Sequence, residues 1–580
     1  IRDSHAAERY TQESTWMTAP FIRGRWSKES LFALLVFVVV SAVAAALYGP
    51  YLENPFVFDD GNLFFTSRLT TAAVEPWELL TRSLPYFTLG WVETQWGTME
   101  AHRLISLVLH VLVAWQLYQL LKQMLILEGR RSEPAAIARE QACAIAALLA
   151  VVFVVHPVAV YAAGYLIQRT TVMAALFSLI SLRYLLMALQ EGSHARVLRA
   201  ALMSSLAMLC KEHSVTVPFA ALSLVLLLDR VDRRTVQVCS TFICANLPAV
   251  ALVFSVGMGF VGQPYEPRLS DLTGEIYGLP ALQGRGDRWL FSAYTQAQLY
   301  YQYWLQWLIP STTRMSADLR VDFLQPWTSV HALLQLGLFV AVPSVVAGLS
   351  LRTGKHRLFA FGLAFSALLF LVEFSLVRFQ EPYVLYRSYI WAIGYAATVA
   401  ALARHLPWRM TLALSVLVIP LLFVQSQDRL ESFSSRAALW EDAAAKLPKP
   451  EVAGASRILF NRGNERFQKG NVEGALSDIS KAIELNPGNS SFYLARAATL
   501  TRMGRPQEAL SDLETAERIT PHDAPRIWFE RFRALYALRH PSAEDALQTA
   551  ARLGSFSARY VIEKRRSNGS DVEVFVEGTR

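Results

Sequence analysis

Charge is scarce in this chain of 580 residues. Asp, Glu, Lys and Arg together supply 18% against 53% hydrophobic residues, and mean hydropathy is +0.28. A soluble fold of this size needs more charge on its surface. Cysteine is scarce too: Cys143, Cys210, Cys239 and Cys244 all lie in apolar stretches without CxxC pairing. That excludes a disulfide scaffold and a structural zinc site. The chain also lacks a dense basic block. Its net charge of +8 is spread in short clusters between apolar runs, which argues against nucleic acid as a partner. The same spread is the signature of a polytopic membrane protein with its positive loops on one side.

Long apolar runs are what the chain has in abundance, and they stop abruptly. Residues 1–30 read as a cytoplasmic segment, and 31–425 as a transmembrane domain with outer loops at 50–103 and 259–329. A connector follows at 426–453, then a repeat array at 454–555 and a tail at 556–580. Placing the basic clusters inside predicts spans near 31–49, 104–124, 141–156, 170–190, 197–211, 214–229, 236–258, 330–351, 358–377, 389–403 and 409–425. The predicted architecture is therefore all-α: about eleven spans, the N-terminus inside, and a soluble helical array outside. Residues 292–310, with Tyr300, Tyr301, Trp304 and Trp307, are expected to form an interfacial helix with an aromatic belt.

The array repeats at a fixed interval. Gly470 to Gly504, Ala475 to Ala509 and Pro487 to Pro521 are each 34 residues apart, and Asp478 to Asp512 keeps the same register. This period, with small residues at helix contacts and a terminal proline, resembles the tetratricopeptide repeat. Two repeats are expected at 454–487 and 488–521, and a degenerate third at 522–555, where Arg531 takes the place of a small residue. The array can serve as a cap on the membrane domain or as a groove for an extended peptide.

Ionisable residues gather at the predicted outer face. Asp59 and Asp60 open the first outer loop; as adjacent carboxylates they suit an Asx-turn or a general base with its neighbour. His102 and Arg103, His156, Arg169, the triplet Lys211-Glu212-His213, and Tyr386-Arg387 with Tyr389 fall at the same depth. Charged groups between apolar runs are costly, and they mark function more often than chance.

In order along the chain stand Phe56-Val57-Phe58-Asp59-Asp60, His102-Arg103 with His110, and Phe153-Val154-Val155-His156-Pro157 followed by Arg169. Then come Leu209-Cys210-Lys211-Glu212-His213, Tyr386-Arg387-Ser388-Tyr389 and Leu439-Trp440-Glu441-Asp442. This series, with the repeats, resembles the transmembrane and tetratricopeptide O-mannosyltransferases of the GT-C glycosyltransferase superfamily and their bacterial relatives. Two departures stand out: His213 where the family often has glutamine, and Leu385-Tyr386 where it often has an acidic residue and histidine.

The resemblance implies inverting transfer of a sugar from a polyprenyl-phosphate donor to hydroxyls of an extracytoplasmic protein at a bacterial inner membrane. Asp59 or Asp60 would be the base. Lys211, Arg169, Arg387, His156, His213, Arg103 and His102 would bind the donor phosphate, supported by Glu212, Tyr386 and Tyr389. No cofactor or metal is implied, although the carboxylates and histidines could ligate a divalent cation. Expected partners are the lipid-linked donor, a protein acceptor engaged by the repeats, and the bilayer. The alternatives are a lipid or polysaccharide acceptor, or a non-enzymatic membrane-anchored assembly factor.

Overall fold

The computed structural model describes residues 27–64, 69, 71–72, 81–129, 139–257, 285–322 and 330–568. Among these, the regular structure is helical, apart from one isolated antiparallel bridge between Leu319 and Tyr383. The N-terminal half runs α1 Lys28–Tyr48, α2 Ser83–Gln95, α3 Met99–Gly129, α4 Arg139–Val154, α5 Pro157–Ala163, α6 Arg169–Glu191, α7 His194–Cys210 and α8 Arg233–Gly257. It continues with α9 Arg285–Leu308, α10 Val330–Thr353, α11 Arg357–Phe370, α12 Ala392–Ala403 and α13 Trp408–Glu431. Of the expected outer loop 259–329, residues 259–284 and 323–329 lie outside the described residues, and α9 occupies much of the rest.

Seven of these helices are long and apolar enough to cross a membrane, or eight if the bent pair α4–α5 counts as one. Sequence reasoning expected about eleven. The difference falls at three places. Helix α7 has only 17 residues, α12 has 12, and residues 212–227 break into 3-10 turns around the five-residue helix Val217–Ala221. The α4–α5 pair bends by 63° at His156-Pro157. Proline cannot donate to the preceding turn and pushes the residue before it out of the helical region. His156 accordingly sits at φ −79, ψ 127.

Ion pairs mark two ends of this bundle. At one end Glu29 pairs with Arg139, and Glu128 with Arg404 at 3.2 Å, while the Arg357 N–H donates to Glu128 at 3.1 Å. The residues expected on the outer face meet at the other end. Between the ends, many large apolar side chains of α1, α10 and α13 stay open, such as Leu35, Val340 and Leu417. Helix α9 departs from its expected interfacial setting. Tyr300, Tyr303 and Trp304 are buried, packing edge-on against Phe339, Phe370, Trp391 and Tyr395. Their stripe is core, not belt.

The connector helix α14 Arg436–Ala445 leads into three helical hairpins: α15 Ala455–Gln468 with α16 Val472–Leu485, α17 Ser490–Arg502 with α18 Pro506–Ile519, and α19 Ala524–Ala537 with α20 Ala543–Arg552. Gly463 shows why the first contact needs a small residue: a Cβ there would lie 2.8 Å from Ile479 Cγ1. The turns within the first two hairpins use Gly470 at φ +82 and Gly504 at φ +74, a conformation costly for other residues. An ion pair with a buried aspartate repeats at the same interval. Arg462 grips Asp478 with two bonds of 2.8 and 2.6 Å, and Arg496 grips Asp512 at 2.8 and 2.7 Å.

The third hairpin has neither partner of that pair. Its Arg531 instead meets Glu517 at 2.8 Å and lies 4.5 Å above the Trp528 ring. What was expected as a tail from residue 556 begins as helix α21, Phe556–Asn568.

Candidate functional site

The first outer loop turns sharply at Phe58, whose φ of +53 is strained for a residue with a Cβ. Packing holds it there. The Phe58 ring lies 5.6 Å from Trp440, 6.3 Å from Tyr165, and 5.2 Å below the Arg457 guanidinium. Beyond this turn the two carboxylates part. Asp59 is exposed, and its backbone N–H donates to Tyr165 Oη at 2.9 Å. Asp60 is fully buried, accepting from the N–H of Ile167 at 3.0 Å and of Val57 at 3.3 Å. Burial pushes the Asp60 carboxyl up to about 7, although both N–H groups and Arg103 favour its charge.

Several expected anion ligands turn inward. Arg103 donates to three carbonyl oxygens, those of Asn54 and Pro55 at 2.9 Å and Gly164 at 2.6 Å. Arg169 donates to the His102 carbonyl at 2.7 Å and Ser106 Oγ at 3.2 Å. The His102 ring meets Glu93 at 2.9 Å. His156 Nδ1 accepts from the Val158 N–H at 3.3 Å, capping α5, and its ring stacks on Trp307 at 4.4 Å. Tyr389 Oη meets His110 Nδ1 at 2.6 Å. These groups brace the loop–helix junctions, because buried carbonyls and rings need such partners.

A second group does converge. Glu373, fully buried, lies 3.2 Å from Arg378 and 3.3 Å from Arg387, with His213 at 3.7 Å. Arg387 reaches on to Glu381 at 3.5 Å, and Glu212 pairs with Arg82 at 2.9 Å. Lys211 sits among them differently. Its ammonium is buried, 3.4 Å from Gln168 Oε1 and 5.5 Å from the Tyr386 ring centre, and no described carboxylate lies within ion-pair distance. Burial and the neighbouring Arg82 push it down to about 7. Among the described residues no three of His, Cys, Asp and Glu converge as a metal ion would require.

The cluster continues into the repeats. Arg457, on the first helix of the array, lies 3.0 Å from Asp318 and 4.0 Å from Glu381, and it covers Phe58. Asp318 is itself buried beside Arg320 at 2.7 Å, and these two cations hold its carboxyl below the usual range despite burial. Sequence reasoning missed Arg82, Asp318, Arg320, Glu373, Arg378, Glu381 and Arg457. Only Glu373 carried a signal, as a carboxylate inside the apolar run 358–377.

The family comparison falls on the array. The tetratricopeptide repeat family matches residues 479–511. The chain is 32% identical over 102 residues to a DnaJ homolog subfamily C member 7 homolog of Schizosaccharomyces pombe, covering 15% of this chain and 21% of that protein. It is 37% identical over 70 residues to stress-induced-phosphoprotein 1 of Caenorhabditis elegans, covering 12% and 21%. It is 31% identical over 89 residues to human small glutamine-rich tetratricopeptide repeat-containing protein beta, covering 15% and 29%. The chain thus spans less than a third of the length of these relatives.

The chain carries tetratricopeptide repeats. These matches correct the activity implied by the resemblance: the matched family is the tetratricopeptide repeat, one of these relatives is named for that repeat, and none of them is named for sugar transfer from a polyprenyl carrier.

Proposed function

We propose that this is a membrane-embedded protein whose tetratricopeptide repeats bind an extended segment of a protein partner on the extracytoplasmic side. The observation that carries this reading is the regular pair of hairpins α15–α18, matched to the repeat family over 479–511. Such hairpins stack into a concave surface suited to an extended chain. Embedding is supported by the seven apolar helices and the leucines and valines they leave open along their length. Sidedness is supported by Arg139, Arg357 and Arg404 at the end opposite the repeats.

The test is site-specific photo-crosslinking in intact membranes, with the probe at Asn464 on α15 or at Leu338 on α10. Discrete protein adducts are expected at Asn464 and lipid adducts at Leu338. Lipid adducts alone at both positions would overturn the reading.

A second reading rests on Lys211. We infer that this buried ammonium receives the phosphate of an anionic lipid, since its neighbours Arg82, Arg378 and Arg387 already meet carboxylates. Phosphatidylglycerol is expected to raise the melting temperature of the detergent-solubilised chain more than that of Lys211→Met. Equal shifts would remove the inference.

A further inference from the structure

The outer end of a repeat array is ordinarily polar, because no further repeat covers it. Here it is not. Among the described residues after Glu431, the exposed large apolar side chains are Tyr536, Leu553, Phe556 and Tyr560, all in the last hairpin and α21. Phe556 is 73% exposed and Tyr560 42%, one turn apart on the same face of α21. Ala558 and Val561 on the opposite face are fully buried in the cluster with Ala546 and Leu547 of α20. Arg559 lies between the two aromatic residues and donates to the Ala551 carbonyl at 3.3 Å; Arg552 donates to Thr549 Oγ1 at 3.1 Å. Neither guanidinium meets a carboxylate among the described residues. The end face is therefore aromatic and basic, and among the described residues nothing covers it.

A segment of complementary chemistry follows directly. Residues 569–580, outside the described residues, contain Asp571, Glu573 and Glu577 interleaved with Val572, Val574, Phe575 and Val576. Helix α21 is 13 residues long, rising about 20 Å, whereas twelve extended residues reach about 40 Å. A chain leaving Asn568 can therefore run back along α21 as far as Phe556.

We propose that residues 569–580 cover this end face, setting their apolar side chains on Phe556 and Tyr560 and their carboxylates on Arg552 and Arg559. The inference does not depend on what the repeat groove binds.

The test compares the full chain with one ending at Asn568, both in detergent, using a fluorescent peptide of residues 569–580. The shortened chain is expected to bind the peptide. The full chain should require at least tenfold more, because its own copy is present at an effective concentration in the millimolar range. A peptide carrying Lys at positions 571, 573 and 577 should lose at least tenfold in affinity. Phe556→Ser in the shortened chain should do the same. The peptide variant leaves the protein's folding untouched. Equal binding by the two chains, no binding by the shortened one, or indifference to the charge-reversed peptide would each overturn the proposal. So would equal self-association of both chains through Phe556, which would assign the face to a second copy.

Discussion

Asp60 offers the sharpest test of how the first loop is held. Its carboxyl is fully buried and raised from the ordinary 3.8 to about 7, so the folded chain binds a proton there that the unfolded chain has already lost. Stability from this group is thus greatest below pH 4. It declines as pH rises through the window from about 4 to 7, then stays level. Three pH units correspond to about 4 kcal/mol at most. Asp60→Asn keeps the shape and removes the titration. At low pH it should cost only about 1 kcal/mol, since an amide can accept from the Ile167 N–H but not also from Val57. At pH 8 the variant should match or exceed the parent.

Melting temperature in detergent from pH 4.5 to 8 reads the difference between the two slopes. Infrared spectra should show a protonated carboxyl band in the parent that fades with a midpoint near 7 and is absent from the variant. Parallel melting curves with no such band would refute the account of Asp60 as a buried, mostly neutral acid.

Three further outcomes follow from packing and charge. Arg457→Gln leaves buried Asp318 with Arg320 alone and uncovers Phe58; it should cost about 1–3 kcal/mol and raise amide exchange across 446–454. Gly463→Val forces atoms against Ile479 and should lower the repeats' stability by about 1–3 kcal/mol, while Ala497→Gly at the matching site costs about 1 kcal/mol, both read by chemical denaturation. Glu373→Gln removes the buried charge that Arg378 and Arg387 share and should lower stability by about 3–5 kcal/mol in a melting assay, with Arg82→Gln, whose guanidinium is partly exposed, costing less.

The repeats were legible because their physics is local and periodic. A 34-residue interval fixes Gly470 and Gly504 at the turns and Arg462 and Arg496 opposite their aspartates, so one repeat predicts the next. The helical class was legible from hydropathy alone. The number of long helices was not, because Lys211-Glu212-His213 and Pro218 break a continuous apolar run into short turns. At the outer face, sequence order placed Asp59 and Asp60 side by side as near-equals. The strained turn at Phe58 makes one exposed and the other buried, and nothing in the dipeptide announces that. Arg103 and Arg169 read as phosphate ligands because a guanidinium in an apolar helix invites an anion; the carbonyl oxygens of Asn54, Gly164 and His102 accept from them in this fold.

What joins the two halves of the molecule is a run of charges that no single motif contains. From Glu373 through Arg387 to Glu381, then Arg457 and Asp318, three separate stretches of chain contribute, and each side chain pairs with the next. Glu373 and Asp318 at the two ends are buried, so their charges cannot be left to water if the run opens. Arg457 is the link that the repeats contribute, and it also covers the ring that keeps Phe58 in its strained turn. Moving the first repeat away would therefore uncover Asp318 and Phe58 together. A partner that pulls on the array is expected to act, in part through this guanidinium, on the loop that holds Asp59 and Asp60.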